Sequence, residues 1–572
     1  MSVQLEKIPR HYLPESFRVE SWEGLAPFFS ELESRTIDSI DALKQWLRDA
    51  SELEAVISEE ACWRQIRMTC DIEDPQLTAA FEFFMTQIQP KIQVVADRLN
   101  RKLIDCPHAS ELDSQKYFTY LRNVRKNIEL FCEANVPIQA ELNVAQQEYG
   151  AIAGKMSVEV NGQEYTLQQA GKFLEDPDRS LRESVYHKIA ERRLQDKDVL
   201  ETLFDDLLKK RDQLARNAGF SDYRSYRFKE LGRFDYTPDD CIAFHTAVRE
   251  QVMPLVNEIL EAKRKQLGLA VLKPWDVDAE PIGTLPLRPF EEGSELIQKT
   301  IDCLKQLDPF FSGCISTMQE MGRLDVESRK GKAPGGYNCP LAETGAPFIF
   351  MNAAGTLDDV TTMVHEAGHA VHSFLCHPLE LNGFKEYPTE IAEVASMSME
   401  LFTMGHWDRF FENNTELRRA KQQQLERVIL LFPWIATIDA FQHWLYLNPG
   451  HSTIEREKAW NEILNAYTSP ILDVSGTERY RSYLWQRQLH LYEVPFYYIE
   501  YGIAQLGAIG LWKQFQQDPK QALTNYRIAL QAGGTKTLPE LFALAGLAFN
   551  FSSDHIGKLM QFVKSQLQEV LG

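Results

Sequence analysis

Apolar residues recur every three or four positions along most of this 572-residue chain. That period places them on one face of an α-helix, whereas a half-buried strand would need them at every second position. The pattern holds over residues 22–150, 182–231 and 238–267, and returns after residue 358. A mainly α-helical fold is therefore expected, because few non-helical segments remain from which a sheet could be built.

Three short stretches break the helical period. Residues 157–167 alternate in polarity around Asn161-Gly162, the pair that a two-residue hairpin turn prefers. Residues 272–290 are rich in proline and predict an extended connector. Residues 325–355 contain glycine turns and then the apolar run 347–351, which predicts a strand. We expect an N-terminal helical lobe over residues 1–185, with the hairpin in it, and a larger domain over residues 186–572.

The composition argues against several classes of protein. Hydrophobic residues make up 44% of the chain and charged residues 25%, as in ordinary globular proteins. The net charge of −21 repels nucleic acids and anionic membranes. Nine cysteines occur without a CxxC pair, and no signal peptide or run of ~20 apolar residues is found. A cytoplasmic protein with reduced thiols is expected, with no nucleic-acid or membrane partner, as a monomer by default or else a homo-oligomer.

One segment carries a chemical pattern: His365, Glu366 and His369 form an HExxH sequence. Residues four apart lie one turn apart on a helix, so both imidazoles can bind one zinc ion. Glu366 can then approach a metal-bound water and take its proton. Asp358 and Asp359 favour the start of a helix at this point. We predict a helix over about residues 358–376 that binds one zinc ion per chain.

A catalytic zinc ion usually has three protein ligands, so one more is needed. Glu390, Glu393 and Glu400 share one face of the following predicted helix. Glu393 is favoured because small neighbours let two helices approach closely, and Glu390 is the next candidate. His372 also lies on the ligand face, but a rise of roughly 10 Å from the first histidine is too long, so it is interpreted as core or as support for a ligand. Asp359, Glu390 and Glu400 remain open as acceptors for the ligand imidazoles.

A segment rich in histidine and tyrosine lies far downstream. Attack on a carbonyl produces an oxyanion, and a hydrolase needs hydrogen-bond donors to stabilise it. Such a stripe on a helix is more often packed in a core, so by itself it does not identify catalytic residues. The residues concerned are His490, Tyr492, Tyr497, Tyr498 and Tyr501.

Taken together, these segments resemble the zinc oligopeptidases related to thimet oligopeptidase, and within them the bacterial oligoendopeptidase F branch. The resemblance rests on residues 365–372, 393–400, 490–501 and 533–534, and on the hairpin region 157–178. It implies a mainly α, two-lobed helical prolate fold around a deep substrate channel, with a small β-sheet and hairpins near the active site. It also implies that residues 186–572 hold the zinc and that short unfolded peptides are the substrates.

The resemblance also implies individual roles. His365, His369 and Glu393 correspond to the zinc ligands, Glu366 to the general base, and His490 to a residue that holds the substrate carbonyl and the tetrahedral intermediate. One or more tyrosines share that last role, and the spacing does not decide among them. These are Tyr497, Tyr498 and Tyr501.

Substrate contacts are implied as well. The strand 347–351, with Phe348 and Phe350, corresponds to one that pairs with the substrate backbone, and the glycine loop is Gly335-Gly336-Tyr337. Hydrogen bonds between two backbones do not depend on the identity of the side chains, so weak sequence selectivity is expected.

Three hypotheses for the function follow. The first is a zinc-dependent endopeptidase that hydrolyses internal bonds of short oligopeptides. The second is a zinc carboxypeptidase or dipeptidyl carboxypeptidase, which would carry a positive group for the C-terminal carboxylate that the sequence alone cannot place. The third is a non-catalytic peptide-binding helical protein, but structural zinc sites usually have four ligands rich in cysteine.

Overall fold

The computed structural model describes residues 2–5 and 8–571 of the chain. Helices account for most of these residues, and five short strands form two small sheets. The predicted fold class is confirmed. Many helices begin where a side chain accepts a hydrogen bond from the first turn, as Ser39, Asp113 and Thr237 do.

The N-terminal part consists of six helices. The first, second, fourth and fifth share a hydrophobic core between Leu13 and Val124, which Leu381 and Phe384 from the later chain join. The sixth packs into a second, larger core that begins at Leu130. The helices are α1 (Trp22–Ser34), α2 (Ile40–Cys70), α3 (Pro75–Phe83), α4 (Gln89–Asp105), α5 (Ser114–Leu130) and α6 (Asn135–Ala153), with a π-helical turn at Phe84–Ile88 and a 3-10 turn at Pro107–Glu111.

The predicted hairpin is confirmed: β1 (Ser157–Val160) and β2 (Gln163–Thr166) pair in an antiparallel manner. Asn161 and Gly162 have φ angles of 53° and 80°, the left-handed conformations that this turn requires. The hairpin packs against the larger core. Eight helices follow: α7 (Leu167–Gly171), α8 (Arg179–Gln195), α9 (Lys197–Asn217), α10 (Tyr223–Glu230), α11 (Pro238–Ala247), α12 (Met253–Gln266), α13 (Gly293–Leu307) and α14 (Pro309–Glu320).

The second sheet has three strands, β3 (Leu324–Glu327), β4 (Tyr337–Cys339) and β5 (Phe348–Ala353), in the order β3-β5-β4. Strand β5 is parallel to β3 and antiparallel to β4. The strand expected to pair with substrate is therefore the central one, with a partner strand on each side. Its apolar run is buried on both faces, as is typical of a central strand. Among the described residues, β3 and β4 are the two edge strands of this sheet.

The remaining chain forms eleven helices. They are α15 (Leu357–Cys376), α16 (Asn382–Lys385), α17 (Thr389–Thr403), α18 (Asn414–Leu447), α19 (Thr453–Ala466), α20 (Glu478–Ser482), α21 (Leu489–Glu493), α22 (Tyr498–Gln517), α23 (Pro519–Gln531), α24 (Leu538–Leu544) and α25 (Ser553–Leu571). Helix α17 lies in the centre, between α15 and α22.

Two glycines allow these central helices to approach closely. A Cβ atom on Gly368 of α15 would lie 2.6 Å from the carbonyl oxygen of Ala395 in α17. A Cβ atom on Gly507 of α22 would lie 2.8 Å from the side chain of Val394 in α17. Larger residues would push the helices apart, so Gly368 sets the distance between the HExxH helix and α17, and Gly507 the distance between α17 and α22.

Helix α18 is the one described helix that is long and apolar enough to span a membrane, with a mean hydropathy of 1.3 over its most apolar window. The sequence analysis had not singled it out. In the structure 72% of that window is buried inside the protein. The buried Asp439 within it lies 2.8 Å from His245 Nε2. We interpret α18 as a core helix, whose burial accounts for its apolar composition.

Candidate metal centre and active site

The HExxH motif lies in the middle of α15, and this helix begins and ends close to the predicted residues. The helix begins with a capping box, in which the Asp359 carboxylate accepts hydrogen bonds from the backbone N–H and hydroxyl of Thr356. The rings of His365 and His369 lie one turn apart, with centroids 5.0 Å from each other. Both side chains line the same cavity.

His365, His369 and Glu393 form a group of potential metal ligands. Glu393 Oε2 lies 3.2 Å from His365 Nε2 and 3.6 Å from His369 Nε2. Ligands bound to zinc at 2.0–2.1 Å in a tetrahedron are separated by about 3.3 Å, so the three donor atoms fit one ion. The structure thus brings Glu393 to the histidines. Glu390 instead accepts a hydrogen bond of 2.6 Å from the Tyr236 hydroxyl.

The protonation states suit a divalent cation. Burial raises the pKa of Glu393, but the charges and hydrogen bonds of His369 and His365 outweigh it and hold that pKa at about 2. Burial lowers the pKa of His369 to about 4, against the attraction of Glu393. Near neutral pH Glu393 is therefore ionised and the His369 imidazole neutral, the forms that bind metal. Burial lowers the pKa of His365, but its hydrogen bonds to Glu393 and Glu400 raise that pKa well above the usual value, so this imidazole must release a proton when a metal binds.

A hydrogen-bonded chain orients His365. Its Nδ1 lies 2.7 Å from Glu400 Oε1, and Gln424 Nε2 donates to Glu400 Oε2 at 3.0 Å. Thr361 in turn donates to Gln424 Oε1 at 3.1 Å. These hydrogen bonds turn the Nε2 atom of His365 toward Glu393, as carboxylates that support a histidine ligand do in metal sites. Of the acceptors left open by the sequence, Glu400 is thus the one beside a ligand imidazole.

Glu366 is buried beside this group, and its Oε2 atom has no hydrogen-bond partner among the described residues. Burial raises its pKa to about 7; His365 opposes this shift, while Glu393 and Glu400 add to it. A Cβ atom on Gly336 would lie 3.8 Å from Glu366 Oε1, so the glycine leaves the carboxylate open. A carboxylate with these properties is a candidate general base.

His490 and Tyr501 form a pair on the cavity wall, with His490 Nε2 3.0 Å from the Tyr501 oxygen. Gln488 Nε2 donates to His490 Nδ1 at 2.7 Å, and the Trp434 indole N–H donates to the oxygen of the same amide at 2.9 Å. Burial lowers the pKa of His490 to about 4, so its ring is neutral. With Nδ1 accepting, Nε2 carries the proton and donates to Tyr501, which leaves the tyrosine proton available to a ligand.

Among the remaining tyrosines of this segment, Tyr497 also lines the cavity. The Tyr497 hydroxyl donates to Glu393 Oε1 at 2.5 Å, on the oxygen that does not face the histidines. The ring of Tyr498 packs edge-on against His490 and does not line the cavity. Tyr492 is fully buried and stacks on Tyr149. The structure thus separates residues that the sequence left together.

The cavity has a volume of about 800 Å³ and is lined by residues of the N-terminal helices and of the later segments that carry the motif. Gly335, Gly336 and Tyr337 line it, and the Tyr337 hydroxyl lies 2.6 Å from Thr69 of α2. The side chains of Phe348 and Phe350 are instead buried in a small core and do not reach it. Their predicted place at the substrate is thus corrected, since the central strand β5 directs them into packing. Tyr337 and Asn338 of the edge strand β4 line the cavity instead.

His372 and a second polar group lie outside this site. His372 is fully buried and stacks on Tyr387, with 3.6 Å between ring centroids, which agrees with its interpretation as core. Cys241, Asp439 and His443 are also close together, but none of them lines the cavity.

Sequence reasoning missed Gln424, Gln488 and Trp434, which support the site. Each is a single polar or aromatic residue with no motif around it. Gln424 and Trp434 bond to residues distant in the chain, and Gln488, although only two residues from His490, lies in no recognisable motif, so no local signal marked them. The cavity-lining arginines Arg193 and Arg487 were missed for the same reason.

Comparisons with known proteins point to one family. The profile of Peptidase family M3 matches residues 172–560, and that of the Peptidase M3 N-terminal domain matches residues 15–131. An oligoendopeptidase F homolog of Lactococcus lactis subsp. lactis is 26% identical over 335 residues, which cover 56% of this chain and 52% of the relative. The plasmid oligoendopeptidase F of Lactococcus lactis subsp. cremoris is 26% identical over 370 residues, 62% of this chain and 58% of that protein. These matches span little more than half the length of the relatives.

The fold also has a solved counterpart. The structure of PZ peptidase A with an inhibitor superposes with a TM-score of 0.92 and 26% sequence identity. It covers 97% of this chain and 99% of that one. The similarity therefore extends over both parts of the fold.

Proposed function

The chain belongs to peptidase family M3, and from this membership and the site we propose that it is a zinc-dependent endopeptidase acting on short oligopeptides. The observation that carries the proposal is the convergence of His365, His369 and Glu393, with Glu366 free beside them. Three protein ligands leave one position of a tetrahedral ion open, as in catalytic zinc sites. This arrangement argues against a purely structural ion.

The chemistry follows from the positions of the side chains. A zinc ion held by these three ligands would polarise the peptide carbonyl and lower the pKa of a water molecule. Glu366 takes the proton of the attacking water and passes it to the leaving amine. Tyr501, oriented by His490, donates a hydrogen bond from its hydroxyl to the oxyanion that forms on the substrate.

The cavity supports the choice of substrate. It lies between the N-terminal helices and the helices that carry the motif, so a substrate peptide must be unfolded to enter it. The free edge of β4 beside Gly336 can pair with an extended peptide backbone. Such pairing gives affinity without reading side chains, so we propose broad sequence selectivity.

The first test uses a short, internally quenched peptide with both termini blocked. We expect internal cleavage that is abolished by a chelator and restored by added zinc, since the ligands hold a removable divalent ion. Mass spectrometry of the products locates the cut. Failure to cleave at an internal bond with one zinc bound per chain would contradict the endopeptidase proposal. Cleavage limited to peptides with a free C-terminus would instead favour the carboxypeptidase alternative.

A second prediction concerns the tyrosines. Tyr501→Phe removes the hydroxyl that faces the cavity, and we expect kcat to fall by about 10²–10³-fold with KM little changed. Tyr498→Phe is the matched control, since its ring packs near the same histidine outside the cavity, and its kcat is expected to stay within about threefold of wild type. Steady-state kinetics of both variants measure this. Equal losses in the two variants would show that the assignment of Tyr501 is wrong.

A further inference from the structure

Two arginines line the cavity without an acidic partner. Arg193 lies on α8, and Arg487 lies three residues before His490. Neither guanidinium has a hydrogen bond or an ion pair with a carboxylate among the described residues; Asp278 attracts Arg487 only through its charge. The buried Arg456, by contrast, pairs with two acidic side chains.

Arg487 is held in place by the same residues that orient His490. Its guanidinium carbon lies 4.5 Å from the ring centre of Trp434. The Trp434 indole N–H donates to Gln488 Oε1 at 2.9 Å, and Gln488 bonds to His490. Cation–π stacking and this short segment therefore position a positive charge beside the residues assigned to the oxyanion.

The two positive charges are close enough to repel each other. Burial lowers the pKa of Arg193, and the charge of Arg487 lowers it further, although Tyr149 acts in the opposite direction. Both guanidinium groups nevertheless stay charged at any physiological pH. Arg193 is half-buried and Arg487 is exposed on the cavity wall, so both groups are accessible to a ligand. A carboxylate that enters the cavity would form charge-assisted hydrogen bonds with them, which neutral groups could not match. The protein as a whole is strongly acidic, so this is a local feature.

We propose that Arg193 and Arg487 form a binding site for a carboxylate of the peptide substrate. The inference rests on the proposed function, because it assumes that peptides enter this cavity. The carboxylate is either the C-terminus or an aspartate or glutamate side chain, and guanidinium groups recognise both through the same paired hydrogen bonds. A C-terminal carboxylate held here would set how far from the end of a peptide the cut is made.

Binding is measured on the zinc-loaded Glu366→Gln variant, so that no peptide is consumed. Four matched peptides are compared by fluorescence anisotropy: a free C-terminal acid or its amide, each with an internal glutamate or glutamine. A carboxylate that meets both arginines is expected to improve Kd by about tenfold or more. Preference for the acid over the amide assigns the C-terminus, and preference for glutamate assigns the side chain. Equal Kd values for all four peptides would overturn the proposal.

The arginines are then tested directly in the same background. Arg193→Gln and Arg487→Gln are each expected to reduce the carboxylate preference, and the double variant to abolish it. Arg487→Lys keeps the charge and is expected to retain part of the preference. Arg479→Gln is the control, since its guanidinium is exposed and lies 3.3 Å from Glu191 outside the cavity. A preference that persists in the folded double variant would refute the inference.

Two further outcomes separate this inference from the proposed function. If the wild-type protein cleaves none of the peptides but the carboxylate preference is present, the arginine site stands and the peptidase proposal fails. If cleavage occurs and the preference is missing, the peptidase stands and the arginine site fails. Circular dichroism of each variant identifies any loss of fold, and the single variants then decide the question.

Discussion

Glu366→Gln is expected to lower kcat/KM by about 10²–10⁴-fold while the protein keeps one zinc ion per chain. Glutamine has nearly the same shape as glutamate but cannot accept the proton of the attacking water. The side chain of Glu366 is buried, and its Oε2 atom has no partner among the described residues, so little other structure depends on its charge. Hydrolysis of the quenched peptide and metal analysis of the same sample measure the two quantities.

Glu493→Gln is the matched control for this experiment. Glu493 also lines the cavity, and burial raises its pKa to about 8, so it too is a carboxyl group that holds its proton unusually strongly. It does not belong to the metal-ligand group, and we expect its variant to keep zinc and most of the activity. If Glu366→Gln hydrolysed peptides at the wild-type rate, or lost its metal, the role assigned to Glu366 would be incorrect.

Glu393→Gln is expected to abolish activity by a different route, because it removes the anionic ligand from the metal site. Loss of outer partners of a metal ligand typically costs 10–100-fold in affinity, and loss of the ligand charge itself should cost more than about 100-fold. Glu393 accepts hydrogen bonds from Tyr497 and Ser396, both of which a glutamine oxygen can retain in part. Titration with zinc against a competing chelator gives the affinity of the folded variant.

Glu390→Gln provides the comparison on the same helix, three residues away. Its carboxylate accepts from Tyr236 at 2.6 Å, and a glutamine oxygen can still accept that bond. We expect wild-type zinc affinity and activity within about threefold of the unmodified protein. The assignment would be reversed if Glu390→Gln lost zinc and Glu393→Gln kept it. Thermal unfolding of both variants shows whether a loss of zinc or of activity is due to loss of the folded structure.

The candidate site was only partly predictable from the sequence. The histidines and Glu366 lie on one helix turn, where local spacing determines which side chains share a face. The three tyrosines of the downstream segment could not be separated in that way. A small change in the rotation of α22 exchanges their directions, and that rotation depends on packing against α17, where Gly507 permits close contact.

The strand near the motif shows the same limit. Its apolar run predicted a strand, and residues 348–353 form one. Its place in the sheet could not be derived from the sequence, because a buried strand has the same composition whether or not a substrate pairs with it. The partner strands β3 and β4 come from separate chain segments, and only their positions show that β5 has no free edge.

The sequence by itself determined the helical fold class, the hairpin at Asn161-Gly162 and the HExxH face, since each depends on interactions between residues a few positions apart. Tertiary structure decided what depends on distant segments. It brings Glu393 to the histidines across the contact at Gly368, places Glu400 behind His365, and leaves Arg193 and Arg487 unpaired in one cavity. Such contacts depend on how whole helices pack, and no local spacing encodes that packing.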